Sequence, residues 1–142
     1  MARAEEFRLA LAALNDVELQ GVALVGDSGA GKSTLARMLA KTAQAAGRTV
    51  RFALGTQTGS TVPLGAFSRA VTLEVAHEPA MMLAAAHKTL SRDKNLLVVV
   101  DDAQLLDPLS ATLVNQLAAN RSARLIVTIR SGEPVLDAVT AL

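Results

Sequence analysis

Gly26-Asp27-Ser28-Gly29-Ala30-Gly31-Lys32-Ser33 fits the pattern G-x-x-x-x-G-K-[ST] at every fixed position. What surrounds it fits as well. Val22-Ala23-Leu24-Val25 precedes it as a short apolar run suited to a buried strand. Leu35, Met38, Leu39 and Thr42 follow at helical spacing, and Gly47 offers a helix stop. Strand, glycine loop and helix therefore occur in the order that a phosphate-binding loop requires. A glycine-rich connector that merely precedes a helix is the bland alternative, and the full match with both flanks weighs against it.

The residue types explain the chemistry. Glycines let the backbone turn tightly and aim successive N–H groups inward, a nest for phosphate oxygens that is expected here from Gly26, Asp27, Ser28, Gly29, Ala30 and Gly31. A helix opening near Lys32 adds its positive end, so the loop suits a polyphosphate. Lys32 is expected to reach the β- and γ-phosphates, Ser33 to ligate Mg²⁺, and Thr34 to contact the α-phosphate.

A second stretch supports the first. Leu96-Leu97-Val98-Val99-Val100 is a run of five aliphatics, as in a parallel strand covered by helices on both faces, and Asp101-Asp102 follow at its C-terminal end. This is the Walker B pattern. Asp101 is expected to hold Mg²⁺, mainly through waters, and Asp102 to orient or deprotonate an attacking water. Alone, an aliphatic run ending in two aspartates is weak evidence, because many strands end in an acidic turn. Downstream of a phosphate-binding loop it becomes strong.

The remaining chain supplies a frame. Residues 3–14 read as an amphipathic helix with Phe7, Leu11 and Leu14 on one face, either packed on a sheet edge or lying beside a base. Thr49 to Leu54 reads as a second strand, followed by a small-polar loop from Gly55 to Pro63. A helix is expected within Leu64 to Val75, a break at His77-Glu78-Pro79, and another helix from Ala80 to Leu90 with Met81-Met82 as core filler. Both histidines, His77 and His87, read as structural or exposed. Asp107-Pro108 looks like an N-cap with proline at the first helical position, and Leu109, Leu113 and Leu117 carry that helix's apolar face. Leu125-Ile126-Val127-Thr128-Ile129 is another buried strand that ends in Arg130. Arg130 is either a reader of the γ-phosphate or an exposed strand-end arginine. A last helix is expected from Glu133.

Bulk properties exclude several classes. In 142 residues, 51% hydrophobic and 19% charged, one domain with a real core is expected rather than disorder. A net charge of +1 with scattered Lys and Arg leaves no electrostatic footprint for nucleic acid, and 2% aromatics leave no stacking platform. Without cysteine there is no disulfide framework and no thiol chemistry. No apolar run approaches the ~18 residues of a membrane span. A cytoplasmic protein with no membrane partner is expected.

Gly26–Thr34, Leu97–Asp102 with Ala103-Gln104-Leu105-Leu106-Asp107 after it, and Thr128 to Pro134 together resemble a known group. The chain is similar to the ATPase domain of large LuxR-type transcriptional regulators, among the STAND relatives of AAA+ proteins. Val62 to Phe67 also resembles a segment of those regulators. The resemblance implies ATP, Mg²⁺ and a switch between ADP- and ATP-bound states, with Thr128-Ile129-Arg130 matching a T-x-R sensor of the γ-phosphate. In such regulators DNA is bound by domains other than this one. None of those other domains fits in this length, so the chain reads as an N-terminal fragment, a truncated product or a stand-alone remnant.

The expected fold is therefore α/β, a P-loop NTPase of AAA+ type. Its three αβα layers enclose a parallel sheet ordered 2-3-4-1, without the fifth strand and lid of larger relatives. The strand at 22–25 then becomes an exposed edge, a liability for self-association. The expected function is an Mg·ATP-binding switch with slow hydrolysis. The alternatives are a small kinase passing the γ-phosphate to a metabolite, and a remnant that binds ATP without turnover. A GTPase is disfavoured because no N-K-x-D motif follows the loop.

Overall fold

Leu96 to Val100 lie in the interior of a four-stranded parallel sheet, each 2% exposed or less. The computed structural model describes residues 2–16, 21–26, 31–56, 64–67 and 78–130, and the side chains from residue 5 onward. Its elements alternate: α1 (Ala2–Asn15), β1 (Gly21–Gly26), α2 (Lys32–Ala45), β2 (Thr49–Leu54), α3 (Pro79–Ser91), β3 (Leu96–Asp101), α4 (Pro108–Ala119) and β4 (Arg124–Arg130). Two short 3-10 turns, Gly65–Phe67 and Ala103–Leu105, fall between them. The spatial order β1-β4-β3-β2 is the expected 2-3-4-1 read from the other end, with every pairing parallel. All four strands therefore present their C-terminal ends on one side.

The aliphatic run of β3 works because successive side chains point to opposite faces. Val98 and Val100 enter the core built with α3 and α4, around Leu90, Leu113, Leu117 and Val127. Leu97 and Val99 enter the opposite core with Leu14, Leu35, Leu39 and Ile126. In β4, Leu125 and Val127 face the first core and Ile126 the second. Helices cover both faces, so neither inner strand has a polar side.

Helical spacing alone does not say which residues of α2 and α3 face inward. Met38 is 42% exposed, and Thr42 is also exposed, its hydroxyl donating to the Met38 carbonyl at 3.0 Å. The buried stripe of α2 is Leu35, Ala36, Leu39, Ala40 and Ala43, whose small alanines form a close-packing surface. Met81 is 60% exposed, so it is not core filler. Met82 takes that part, because it shares an i, i+4 stripe with the buried Ala86 and Leu90. Within the span expected to be helical from Leu64, the described residues form only the turn Gly65–Phe67. The rest of that span, His77, the loop at 57–63 and the helix from Glu133 lie outside the described residues.

α4 starts as read from the sequence. Asp107 is its N-cap, accepting the Ser110 N–H at 3.0 Å, and Pro108 follows at the helix start. The same carboxylate accepts the Leu64 N–H at 2.8 Å, which ties the segment after β2 to α4. Among the described residues, no helix is long and apolar enough to cross a membrane.

Candidate nucleotide-binding site

The C-terminal ends of β1, β3 and β4 converge with the start of α2. β1 ends at Gly26, and the chain re-enters at Gly31, whose φ of 85° lies in the left-handed region that glycine adopts without strain. α2 begins immediately after it, so Lys32, Ser33 and Thr34 occupy its first turn. The Lys32 ammonium folds back and donates to the Gly26 carbonyl at 2.8 Å. Asp27, Ser28, Gly29 and Ala30 lie outside the described residues.

Ser33 meets Asp101 across the sheet. Its hydroxyl lies 2.9 and 3.0 Å from the two carboxylate oxygens. The Thr128 hydroxyl donates to Asp101 Oδ1 from the other side and accepts the Asp102 N–H at 2.8 Å. Thr128 is fully buried, and Ser33, Asp101 and Asp102 are half-buried, so these bonds are partly shielded from competing water. One threonine thus links both acidic residues to β4.

Asp102 turns the chain out of β3 with φ 54° and ψ 54°. Aspartate tolerates this left-handed conformation better than most residues do. Gly55, leaving β2, passes against the same turn, and a Cβ there would stand 2.2 Å from the Asp102 carbonyl. Gln104 lies in the 3-10 turn that follows. Its amide reaches the Asp102 carboxylate at 3.4 Å and accepts the Arg130 backbone N–H at 3.1 Å. Arg130 is exposed at the end of β4 and is the register partner of Gly26.

A parallel sheet with a glycine-turned helix start and an acidic strand end, joined by Ser33, is the geometry of a P-loop NTPase. A family model described as an AAA domain matches residues 19–139. The chain belongs to the AAA domain family. The comparison with curated proteins gives no match. Among solved structures, a mutant of RuvB from Thermotoga maritima superposes with a TM-score of 0.58 at 15% identity, over 99% of this chain and 42% of that one. The AAA domain described here therefore spans less than half the length of that protein.

Lys32, Ser33, Asp101 and Asp102 lie together at the C-terminal ends of the strands, and Arg130 reaches the same end of the sheet. Thr34 is exposed in the first turn of α2. Two cavities flank the cluster. One, of about 440 Å³, runs from Lys32 and Gly26 along β1, with Leu9, Ala10 and Ala13 of α1 as its far wall. The other, of about 540 Å³, lies between Asp101, Arg37, Phe52 and Leu54.

Sequence reasoning placed Thr128 at the strand end without the role that its hydroxyl has here. A signal existed, since a hydroxyl within an aliphatic strand must find a partner once buried. Gln104 was missed as well. Nothing in its spacing distinguishes it from any polar residue in a turn.

Proposed function

We propose that this AAA domain binds ATP with Mg²⁺ and hydrolyses it slowly, as the switch domain of a signal-responsive transcriptional regulator of the large LuxR type. The observation that carries the reading is the hydrogen-bonded cluster Ser33–Asp101–Thr128–Asp102 beside Lys32. It gathers two hydroxyls, two carboxylates and an ammonium from three elements at a single strand edge.

The donor set fits Mg²⁺. A serine hydroxyl and one carboxylate are hard oxygen donors, and a small cation that retains most of its water needs few protein ligands. Ser33 and Asp101 would hold it, and when bound the ion neutralises charge on the β- and γ-phosphates. Lys32 would exchange the Gly26 carbonyl for phosphate oxygens, which a flexible four-carbon stem permits. Asp102 would accept a proton from the attacking water, its backbone held by Thr128. Arg130 would read the γ-phosphate from the end of β4. The cleft between α1 and β1 offers apolar walls beside Lys32 for the base.

The regulator assignment rests on the resemblance of the Walker B segment and of Thr128-Ile129-Arg130, and DNA contact would belong to other domains of such a protein. A cytoplasmic location goes with this reading. Hydrolysis by an isolated domain is expected to be slow, because an arginine supplied by a neighbour contributes roughly 10³–10⁵ in related enzymes.

Titration calorimetry with ATP and ADP, with and without Mg²⁺, tests the assignment. The chain is expected to bind ATP at micromolar strength. Lys32→Ala abolishes binding, and Asp101→Ala removes the benefit of Mg²⁺. A folded chain that binds neither nucleotide overturns the reading. Phosphate release in the absence of any acceptor then separates hydrolysis both from transfer to a metabolite and from binding without turnover.

A further inference from the structure

We propose that Gln104 is a positioning residue, which ties the Asp102 carboxylate to the Arg130 end of β4 and so sets the aim of that carboxylate according to the state of the strand. The proposal rests on the hydrolytic reading given above. Its starting point is the polarity of one amide. The Arg130 backbone N–H can only donate, so the Gln104 atom 3.1 Å from it is the carbonyl oxygen. The amide nitrogen is thereby turned to the Asp102 carboxylate, which can only accept when ionised, at 3.4 Å. Both ends of the glutamine side chain are used in the one orientation that satisfies both partners.

The bridge is not the sole restraint on Asp102, and the second restraint points the same way. The Asp102 N–H is held by the Thr128 hydroxyl at 2.8 Å. Thr128 and Arg130 are two residues apart on β4, so both the backbone and the carboxylate of Asp102 are referred to one strand end. Asp102 itself begins a turn with a positive φ, its carbonyl accepting the Leu105 N–H at 2.9 Å, so its backbone is fixed while its carboxylate is left to the Gln104 amide. A displacement of β4 when Arg130 engages an anion would therefore reach the carboxylate through the Gln104 amide. The carboxylate needs such control, because an error of about 1 Å in the placement of a catalytic group costs on the order of 100-fold in rate.

Three substitutions at this half-buried position separate positioning from mere support of the turn. Gln104→Ala removes the bridge. Gln104→Asn keeps the amide but shortens it by one carbon. Gln104→Glu keeps the acceptor for the Arg130 N–H but sets a second negative charge against Asp102. The expected order of kcat is wild type, then Ala about 10-fold lower, then Glu about 100-fold lower, with the ATP dissociation constant within about threefold throughout. Asn is expected between wild type and Ala. An isosteric replacement worse than truncation is the signature of a carboxylate neighbour, which a turn-supporting role would not produce. The proposal is overturned if Glu matches wild type, or if kcat and binding fall together.

The bridge is also read without turnover. In the nucleotide-free protein, Gln104→Ala is expected to shift both the Asp102 carboxyl ¹³C resonance and the Arg130 amide resonance, while the rest of the sheet is unmoved. If both resonances stay in place, there is no bridge and the proposal fails. Should the wild-type chain bind ATP without hydrolysing it, the hydrolytic reading fails, and these two resonances decide the bridge on their own.

Discussion

Strands β3 and β1 are built from similar residues, Leu-Leu-Val-Val-Val in one and Gly-Val-Ala-Leu-Val in the other. They meet different surroundings. Every aliphatic residue of β3 is 2% exposed or less, whereas Val25 of β1 is 63% exposed and Ala23 is exposed as well. β3 has a strand on each side and helices on both faces. Among the described residues β1 pairs with β4 alone, and a cleft runs along its other edge. The same division runs through the chemistry. Asp101 and Asp102 leave an inner strand, and Thr128 of the other inner strand holds the carboxylate of the first and the backbone N–H of the second. The proposed phosphate-binding loop leaves the outer strand β1. Rigidity and access are thus assigned by position in the sheet, since a central strand is restrained from four directions and an edge strand from fewer.

Paired truncations at an inner and an outer position give the largest expected contrast. Ile126→Ala, deep in the core between α1, α2 and the sheet, is expected to cost about 2–5 kcal/mol in chemical denaturation. Val25→Ala, at the exposed edge, is expected to cost under about 0.5 kcal/mol, as surface substitutions usually do. Equal losses at the two sites would break the comparison, and would mean that something covers the β1 edge in solution.

A smaller effect sharpens it. Thr128→Val keeps the shape of a buried side chain but removes the hydroxyl shared by Asp101 and the Asp102 N–H. The expected loss of stability is about 1–3 kcal/mol, the cost of leaving a buried polar group unpaired. It should be accompanied by weaker Mg²⁺-dependent ATP binding in calorimetry. A stable variant with unchanged Mg²⁺ dependence would show that the cluster does not need its link to β4.

The smallest effect belongs to the other outer strand. Arg51 of β2 and Asp93 form an ion pair at 2.9 Å, with the arginine side chain 43% exposed. The hydrogen bond it donates to Asp93, and then the charge of that carboxylate, raise the Arg51 guanidinium above its ordinary range. Exposed pairs of this kind contribute ~0–1 kcal/mol. Arg51→Ala is expected to lie within that range, and to approach zero at high salt because screening reaches exposed charges first. A loss of the size expected at Ile126 would show that edge contacts restrain the fold as strongly as the core does.

Much of this architecture was legible beforehand, for local reasons. The unbroken aliphatic run of β3 and the apolar stripes of the helices are local patterns, which need only neighbours in the chain. Asp107-Pro108 announced the start of α4 in the same way. Two exposed methionines show the limit of such reasoning. Met38 and Met81 are apolar at helical spacing, but which side of a helix turns inward depends on what it packs against. α2 presents alanines to the sheet, and α3 presents Met82, Ala86 and Leu90.

By itself the sequence determined the elements and the residues on offer: a glycine-rich loop pattern, a lysine and a serine at a helix start, and two carboxylates at a strand end. Only the tertiary structure decided how those groups are held. Ser33 and Asp101 are 68 positions apart, Thr128 stands 27 positions from Asp101, and Gln104 is 26 positions from Arg130. No local pattern encodes bonds of that span. They arise because parallel pairing brings distant strand ends to one side of the sheet, where a buried hydroxyl or a half-buried amide is stable only if it finds a partner.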